Sequence, residues 1–288
     1  MHDLLHATPL VVAAERAKVA THGWGAMLLK AQKPGGYWGR ADDEGWMTTI
    51  HSLTLLTDLG VPPRSRAARH AIRRVRQNLR WWQLDHRAFF DGETEPCLNG
   101  RILGAGAYFG VPVSRLLERL IGEQLADGGW NCEAPKSHRS SFHTTICVLE
   151  GLLRYEQAHG RTRTVTRARS RGQEYLLERG LLRRKSTGEV IDQRWTRFAY
   201  PHSWHYDVLR GLDYLRSAGV RPEPRMAEAI DIVRQRQHQN GLWPLRLHAD
   251  RRTQDLESEV GRASHWITLK ALRVLDWYQR GRRRRARA

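Results

Sequence analysis

Apolar residues recur along the chain at helical spacing, in segments that alternate between a charged and a more apolar background. The first kind is illustrated by RSRAARHAIRRVRQNL, and the second by ICVLEGLLRYEQAHG. Runs of alternating apolar and polar residues, which indicate strands, are short. The pattern therefore predicts an all-α protein built from helical hairpins, with the more apolar second helix of each hairpin on the inside.

A glycine follows each predicted second helix, at intervals of 50, 50, 59 and 62 residues. These glycines are Gly60, Gly110, Gly160, Gly219 and Gly281. Glycine after the last helical turn can adopt the left-handed C-cap conformation, and a proline shortly afterwards prevents continuation of the helix. A repeat of this period is typical of helical repeat proteins. We therefore predict one repeat domain over residues 1–281, followed by a basic, disordered tail at 282–288.

Loops rich in aromatic residues and glycine lie between the two helices of several hairpins. They include GGYWG at 35–39, DGGWN at 127–131 and NGLWPL at 240–245. Glycine permits the turn, and the large indole of Trp38, Trp130 or Trp243 supplies apolar surface. We predict that these three tryptophans pack hairpins together.

These motifs resemble the repeats of the squalene cyclase and protein prenyltransferase β-subunit superfamily, in which a Gln-rich helix end precedes an Asp-Gly-x-Trp turn. The best match here is EQLADGGW at 123–130. The resemblance implies an (α/α) toroid of about five to six hairpins, with concentric inner and outer helices. It also implies an enzyme acting in a central cavity on an isoprenoid or similar apolar substrate, with or without a diphosphate group.

Part of the resemblance concerns a zinc site. The segment SSFHTTICVLEGL at 140–152 resembles the part of prenyltransferase β-subunits that supplies a zinc histidine, which implies His143 as a ligand. Their Asp-x-Cys pair corresponds to Glu95-Pro96-Cys97, which implies Cys97 as a second ligand. Zinc is thus a candidate cofactor, with Cys132, Glu95 or His205 as the third ligand.

The Asp-x-Asp-Asp proton donor of squalene cyclases has no counterpart. A loose acidic cluster, Asp42-Asp43-Glu44, is the nearest feature. We therefore do not expect a polyene to be cyclised by protonation from the usual acid.

The inner helices of a toroid run parallel, so their N-terminal ends meet at one mouth, where unpaired N–H groups favour anions and polarised groups. The residues predicted at these ends include Trp46, Glu95, Cys97, Asn99, His143, His202, Trp204, His205, Asp207 and Trp266. Of these, the aromatic and amide side chains are predicted to bind substrate: Trp46, Asn99, Trp204 and Trp266.

Cysteine chemistry is an alternative to zinc. Either Cys132 or Cys97 is a candidate nucleophile, activated by His143 or His205, because a nearby imidazole or helix N-terminus lowers a thiol pKa. Asp207 and His205 are candidates for acid–base catalysis, each with partners from neighbouring repeats, since residues two apart on a helix do not face each other. A further alternative is that the cysteines are buried apolar residues and the histidines are structural.

A net charge of +18 concentrates in two basic runs, at 161–171 and 280–287. Such runs attract anionic surfaces, so peripheral contact with an anionic membrane is predicted, and a non-catalytic basic scaffold is a third alternative function. Nucleic-acid binding is not expected as the main function, because no recognised binding module is present. Three cysteines without framework spacing, and no apparent signal peptide or membrane span, favour a reduced, cytoplasmic protein.

Overall fold

The computed structural model describes residues 2–40, 43–246 and 259–285. Helices dominate the described part of the chain, which confirms the all-α prediction. They are α1 His2–Leu5, α2 Pro9–Lys18, α3 Gly23–Ala31, α4 Asp43–Asp58, α5 Arg66–Asn78, α6 Pro96–Tyr108, α7 Ser114–Gly122, α8 Phe142–His159, α9 Arg163–Leu177, α10 Val208–Ser217, α11 Ala227–Gln235 and α12 His265–Arg285. Among the described helices, none combines the length and apolar character needed to cross a bilayer.

One small antiparallel ribbon, which the sequence pattern did not predict, pairs β1 (Arg80–Trp81) with β2 (Arg87–Ala88). Its turn places Asp85 and His86 at positive φ, of 51° and 55°. The strands are too short for a period of two residues to be visible in the sequence.

The chain divides into two compact units. Unit 1 comprises residues 1–126 and 130–169, and unit 2 comprises residues 127–129 and 170–288. In unit 1, α6 packs against both α4 and α8, and in unit 2, α10 packs against α11 and α12. The single repeat domain expected over residues 1–281 and its toroidal arrangement stay predictions.

Each of the three turn tryptophans, which were predicted to pack hairpins together, is held by the same two hydrogen bonds. The indole N–H of Trp38, Trp130 and Trp243 donates to a carbonyl ten residues earlier, at 2.6, 2.6 and 2.7 Å respectively. Their backbone N–H groups donate, each at 3.0 Å, to threonine hydroxyls of the following helix, those of Thr49, Thr145 and Thr268. All three indoles are buried. We refer to this pairing as the tryptophan–threonine contact.

At four of the predicted positions a glycine with positive φ follows the helix, although at Gly160 the ψ of 162° lies outside the left-handed helical region. Gly60, Gly110, Gly160 and Gly219 have φ of 76°, 72°, 88° and 72°. After Gly60, the Val61 N–H donates to the Leu56 carbonyl. This is the 6→1 hydrogen bond of a Schellman cap.

The prediction is wrong at the fifth glycine. Gly281 lies within α12, which continues to Arg285. A Cβ atom at Gly281 would lie 2.4 Å from Cγ of Pro222, so this glycine permits a close approach and does not end the helix. Residues 282–285, expected to belong to a disordered tail, are therefore helical, and residues 286–288 lie outside the described part of the chain.

Helices α6 and α8 are in backbone contact. A Cβ atom on Gly100 would lie 2.5 Å from the Cys147 carbonyl oxygen, and one on Gly151 would lie 2.1 Å from the Gly100 carbonyl oxygen. One turn later, Gly104 approaches Gly151, so the two helices run parallel. Their N-terminal ends consequently lie side by side.

In unit 2, a largely buried carboxylate, 13% exposed, joins α10 to α12. Asp213 accepts a hydrogen bond from Lys270 at 2.7 Å and one from Arg216 at 3.0 Å. Although burial acts to raise the pKa of Asp213, the two cations outweigh it and lower that pKa to about 2.

We expect Thr145→Val to destabilise unit 1 by about 1–3 kcal/mol, because it leaves the buried Trp130 N–H without an acceptor while preserving volume. Urea denaturation followed by circular dichroism measures the change. The matched control is Thr54→Val, since among the described residues the Thr54 hydroxyl bonds only to the Ile50 carbonyl of its own helix. Equal losses in the two variants would argue against the importance of the tryptophan–threonine contact.

We expect Asp213→Asn to reduce the acid sensitivity of stability. The folded pKa of Asp213, about 2, lies below its ordinary value of 3.8, so its stabilisation is complete above the ordinary value. That stabilisation, up to about 2 kcal/mol, is lost as the pH falls towards 2. The free energy of unfolding should therefore fall less steeply below pH 4 in the variant. Parallel pH profiles for variant and wild type would contradict this assignment.

Candidate active site

Two cysteines and a glutamate converge at the N-terminus of α6. Glu95 is the N-cap residue of α6, and Cys97 is its second helical residue. The Cys97 thiol donates to Oε2 of Glu95 at 3.4 Å. Cys132 completes the group, and the three ligand atoms lie within 4.8 Å of one another. Among the described residues, this is the group of histidine, cysteine or acidic side chains whose geometry could hold a metal ion.

The tryptophan–threonine contact places Cys132. Trp130 is bonded to Thr145 of α8, and its carbonyl accepts the Ser141 N–H at 2.8 Å. Two residues further on, Sγ of Cys132 lies 3.3 Å from Oγ1 of Thr144, in the first turn of α8. Because α6 and α8 lie side by side at this end, Cys97 reaches the same place.

The turn before α6 is held by Asn99, which is completely buried. Its Oδ1 accepts the Glu93 N–H at 2.7 Å, and its Nδ2 donates to the Glu93 carbonyl at 2.8 Å. The Glu93 carboxylate in turn accepts the Glu95 N–H at 2.7 Å. Asn99, predicted to bind substrate, is thus bonded to the backbone that positions Glu95.

The pKa values of the two thiols in the group are shifted in opposite directions. The interaction of the Cys97 thiol with the Cys132 sulfur, together with burial and nearby negative charge, raises the pKa of Cys97 far above its ordinary value. The same interaction lowers the pKa of Cys132 despite partial burial, and the Thr144 hydroxyl and the Cys97 backbone N–H lower it further. Cys132 is therefore the preferred thiolate, and it lies at the N-terminus of α6, where free N–H groups stabilise negative charge.

His143 and Trp46 lie in the same unit but do not join this group. His143 is half-buried in the first turn of α8, next to Thr144, and it is not part of the metal-capable group. The indole N–H of Trp46 donates to the Arg80 carbonyl at 3.0 Å, so Trp46 packs against the ribbon. Thr144 was not predicted; its only signal in the sequence is a hydroxyl beside His143 at a helix start.

The remaining predicted residues belong to unit 2. Trp204 is 40% exposed and stacks on His205, with ring centroids 3.9 Å apart. Trp266 stacks on Tyr200 at 5.0 Å. Asp207 is the N-cap of α10. The imidazole close to its carboxylate is that of His202, at 3.5 Å.

No protein-family model matches the chain, and no curated protein matches it. Among solved structures, the chain is similar to the apo form of the type II terpene cyclase MstE from Scytonema. The two are 18% identical with a TM-score of 0.46, over 94% of this chain and 88% of that chain. The similarity carries no argument about substrate or reaction, which depend on the residues of the site.

We expect Gly100→Ala to disturb the site through the backbone. The new methyl group would overlap the backbone of Cys147 and Val148, at a cost of about 1–3 kcal/mol, and would separate the N-terminal ends of α6 and α8. Urea denaturation and mass-spectrometric alkylation of Cys132 report the two effects. Gly122→Ala is the control, because nothing lies within 4 Å of its added methyl group. Unchanged stability and Cys132 labelling in Gly100→Ala would contradict the close packing.

Proposed function

We propose that the chain is a zinc-dependent transferase or hydrolase whose metal ligands are Glu95, Cys97 and Cys132. The observation that carries the proposal is the approach of their three ligand atoms to within 4.8 Å. Thiolates and carboxylates are ordinary zinc ligands, at about 2.3 and 2.0 Å in tetrahedral sites. Those lengths put a sulfur and an oxygen ligand about 3.5 Å apart. The separation of Sγ of Cys97 and Oε2 of Glu95 is 3.4 Å, which fits.

The ligand set differs from the one that the family resemblance implies. Cys132 takes the third place, and His143 stays outside the group. Three protein ligands leave one position for water or substrate, which is typical of catalytic zinc. When bound, zinc would supply a Lewis acid that activates water or a substrate group at that position.

The chain's own residues would orient and expose this centre. The Thr144 hydroxyl and the Cys97 backbone N–H direct the Cys132 sulfur. Glu95 is exposed and Cys132 is half-buried, so the group is open to solvent on one side. This combination suits a site that admits a substrate.

A second candidate function uses the same residues without metal. The lowered pKa of Cys132 favours a thiolate nucleophile, and water on the open side of the group is the proton source. In this case Cys132 would attack an electrophilic carbon, and the leaving group would depart with the bonding electrons and take up a proton.

The choice of substrate rests on the sequence resemblance alone. An isoprenoid or similar apolar substrate, with or without a diphosphate group, stays a prediction. Peripheral contact with an anionic membrane, which the basic runs suggest, likewise stays a prediction.

We expect about one zinc ion per purified, untagged chain, measured by plasma mass spectrometry. Cys97→Ala and Cys132→Ala should each lose the metal, whereas His143→Ala should keep it. Cys147→Ala is the matched control, because Cys147 is buried in α8 and is not part of the group.

Zinc-free wild type after growth with added zinc would overturn the zinc proposal. The same holds if His143→Ala loses the metal and Cys132→Ala retains it. For the metal-free alternative, iodoacetamide near neutral pH should label Cys132 roughly tenfold faster than Cys97 or Cys147. Equal, slow labelling of the three cysteines would rule out a thiolate nucleophile.

A further inference from the structure

We infer that His202 and Asp207 in unit 2 form an acid–base pair, in which Nε2 of His202 binds and deprotonates the hydroxyl group of a small apolar alcohol or phenol. This inference concerns a second site and does not depend on the zinc proposal. It rests on the position of one carboxylate, the burial of one imidazole and the aromatic rings beside it.

The Asp207 carboxylate is held in place by the backbone. Its Oδ1 accepts the Arg210 N–H at 2.8 Å, as expected of an N-cap, and its Oδ2 accepts the Ala199 N–H at 3.3 Å. Rotating the side chain would break both hydrogen bonds. The Asp207 carboxylate is therefore held in one orientation.

The His202 imidazole lies beside the Asp207 carboxylate. Its Nδ1 is 3.5 Å from Oδ2 of Asp207, just beyond an ordinary hydrogen bond. The two side chains are only 9% and 5% exposed. In this position the carboxylate favours the tautomer with the proton on Nδ1, which leaves Nε2 as a hydrogen-bond acceptor.

Nε2 of His202 is buried and has no hydrogen-bond partner within the described ranges. Buried polar atoms are nearly always paired, and an unpaired one costs about 1–3 kcal/mol. The Asp207 carboxylate cannot relieve this cost, because it has no proton to donate to an accepting Nε2. A ligand that donates a hydrogen bond to Nε2 would relieve it.

The neighbouring rings indicate the rest of the ligand. Tyr200 stands edge-on to His202, with centroids 5.9 Å apart and planes at 84°. Trp266 stacks on Tyr200, with ring centroids 5.0 Å apart. Aromatic side chains offer apolar surface beside a polar atom, which suits an apolar molecule that carries one hydroxyl group.

The chemistry of the pair follows from this arrangement. The hydroxyl proton moves to Nε2, and its bonding electron pair stays on the ligand oxygen, which becomes the nucleophile. The resulting imidazolium faces the Asp207 carboxylate, which stabilises the positive charge. No metal or redox partner enters the step.

The test uses phenol as the probe and protein labelled with ¹⁵N-histidine, observed by long-range ¹H–¹⁵N NMR. We expect His202 in the Nδ1–H tautomer and a saturable shift of its Nε2 resonance on addition of phenol. Toluene, which lacks the hydroxyl donor, should bind at least about tenfold more weakly. The signal is assigned by its loss in His202→Gln.

Variants separate the pair from a general binding surface. Asp207→Asn keeps a good helix cap but removes the charge, so it should shift His202 towards the Nε2–H tautomer and weaken phenol binding. His238→Gln, which alters an exposed histidine of the same unit, should leave binding unchanged.

Three results would overturn the inference: an Nε2–H tautomer in the wild type, equal binding of phenol and toluene, or phenol binding that survives in His202→Gln. Should His202→Gln fail to fold, the wild-type tautomer and the Asp207→Asn measurement still decide the question.

Discussion

The hydrogen bond from the Trp130 backbone to the Thr145 hydroxyl is the interaction on which the thiol site depends. It fixes the loop after α7 onto the first turns of α8, and Cys132 follows two residues later. The indole of Trp130 anchors the other side of the loop by donating to the Leu120 carbonyl. Unit 2 uses the same contact between Trp243 and Thr268. Because a buried N–H needs an acceptor, this contact fixes the tryptophan backbone of each loop to the helix that follows it.

Backbone contact between α6 and α8 provides the second constraint. Glycines at 100 and 151 allow the helices to approach more closely than any larger residue would. The parallel arrangement brings two positive helix ends together, and the chain places a pair of thiols and a carboxylate there. The result is one proton held on Cys97 and a negative charge favoured on Cys132, a state that suits either a metal ion or an electrophile.

Local sequence signals were reliable wherever a few neighbouring residues decide the outcome. Helix type, four glycine caps and the burial of the turn tryptophans are of this kind, because propensity, capping and loop chemistry act over single turns. The failure at Gly281 has a non-local cause, since that glycine accommodates Pro222 from another segment. Asn99 was placed correctly at a helix start, and only the tertiary structure shows that its amide bonds to the backbone of Glu93.

By itself, therefore, the sequence determined the helical character of the chain and the glycines that end four of its helices. Tertiary structure alone decided which side chains meet. It joined Cys132 to a pair 35 residues earlier and left His143 outside, because the distance between side chains depends on how closely α6 and α8 approach. It likewise paired Asp207 with His202 and not with His205, because two backbone N–H groups fix the direction of the carboxylate. Such distances arise from packing between segments, which periodicity along a chain does not encode.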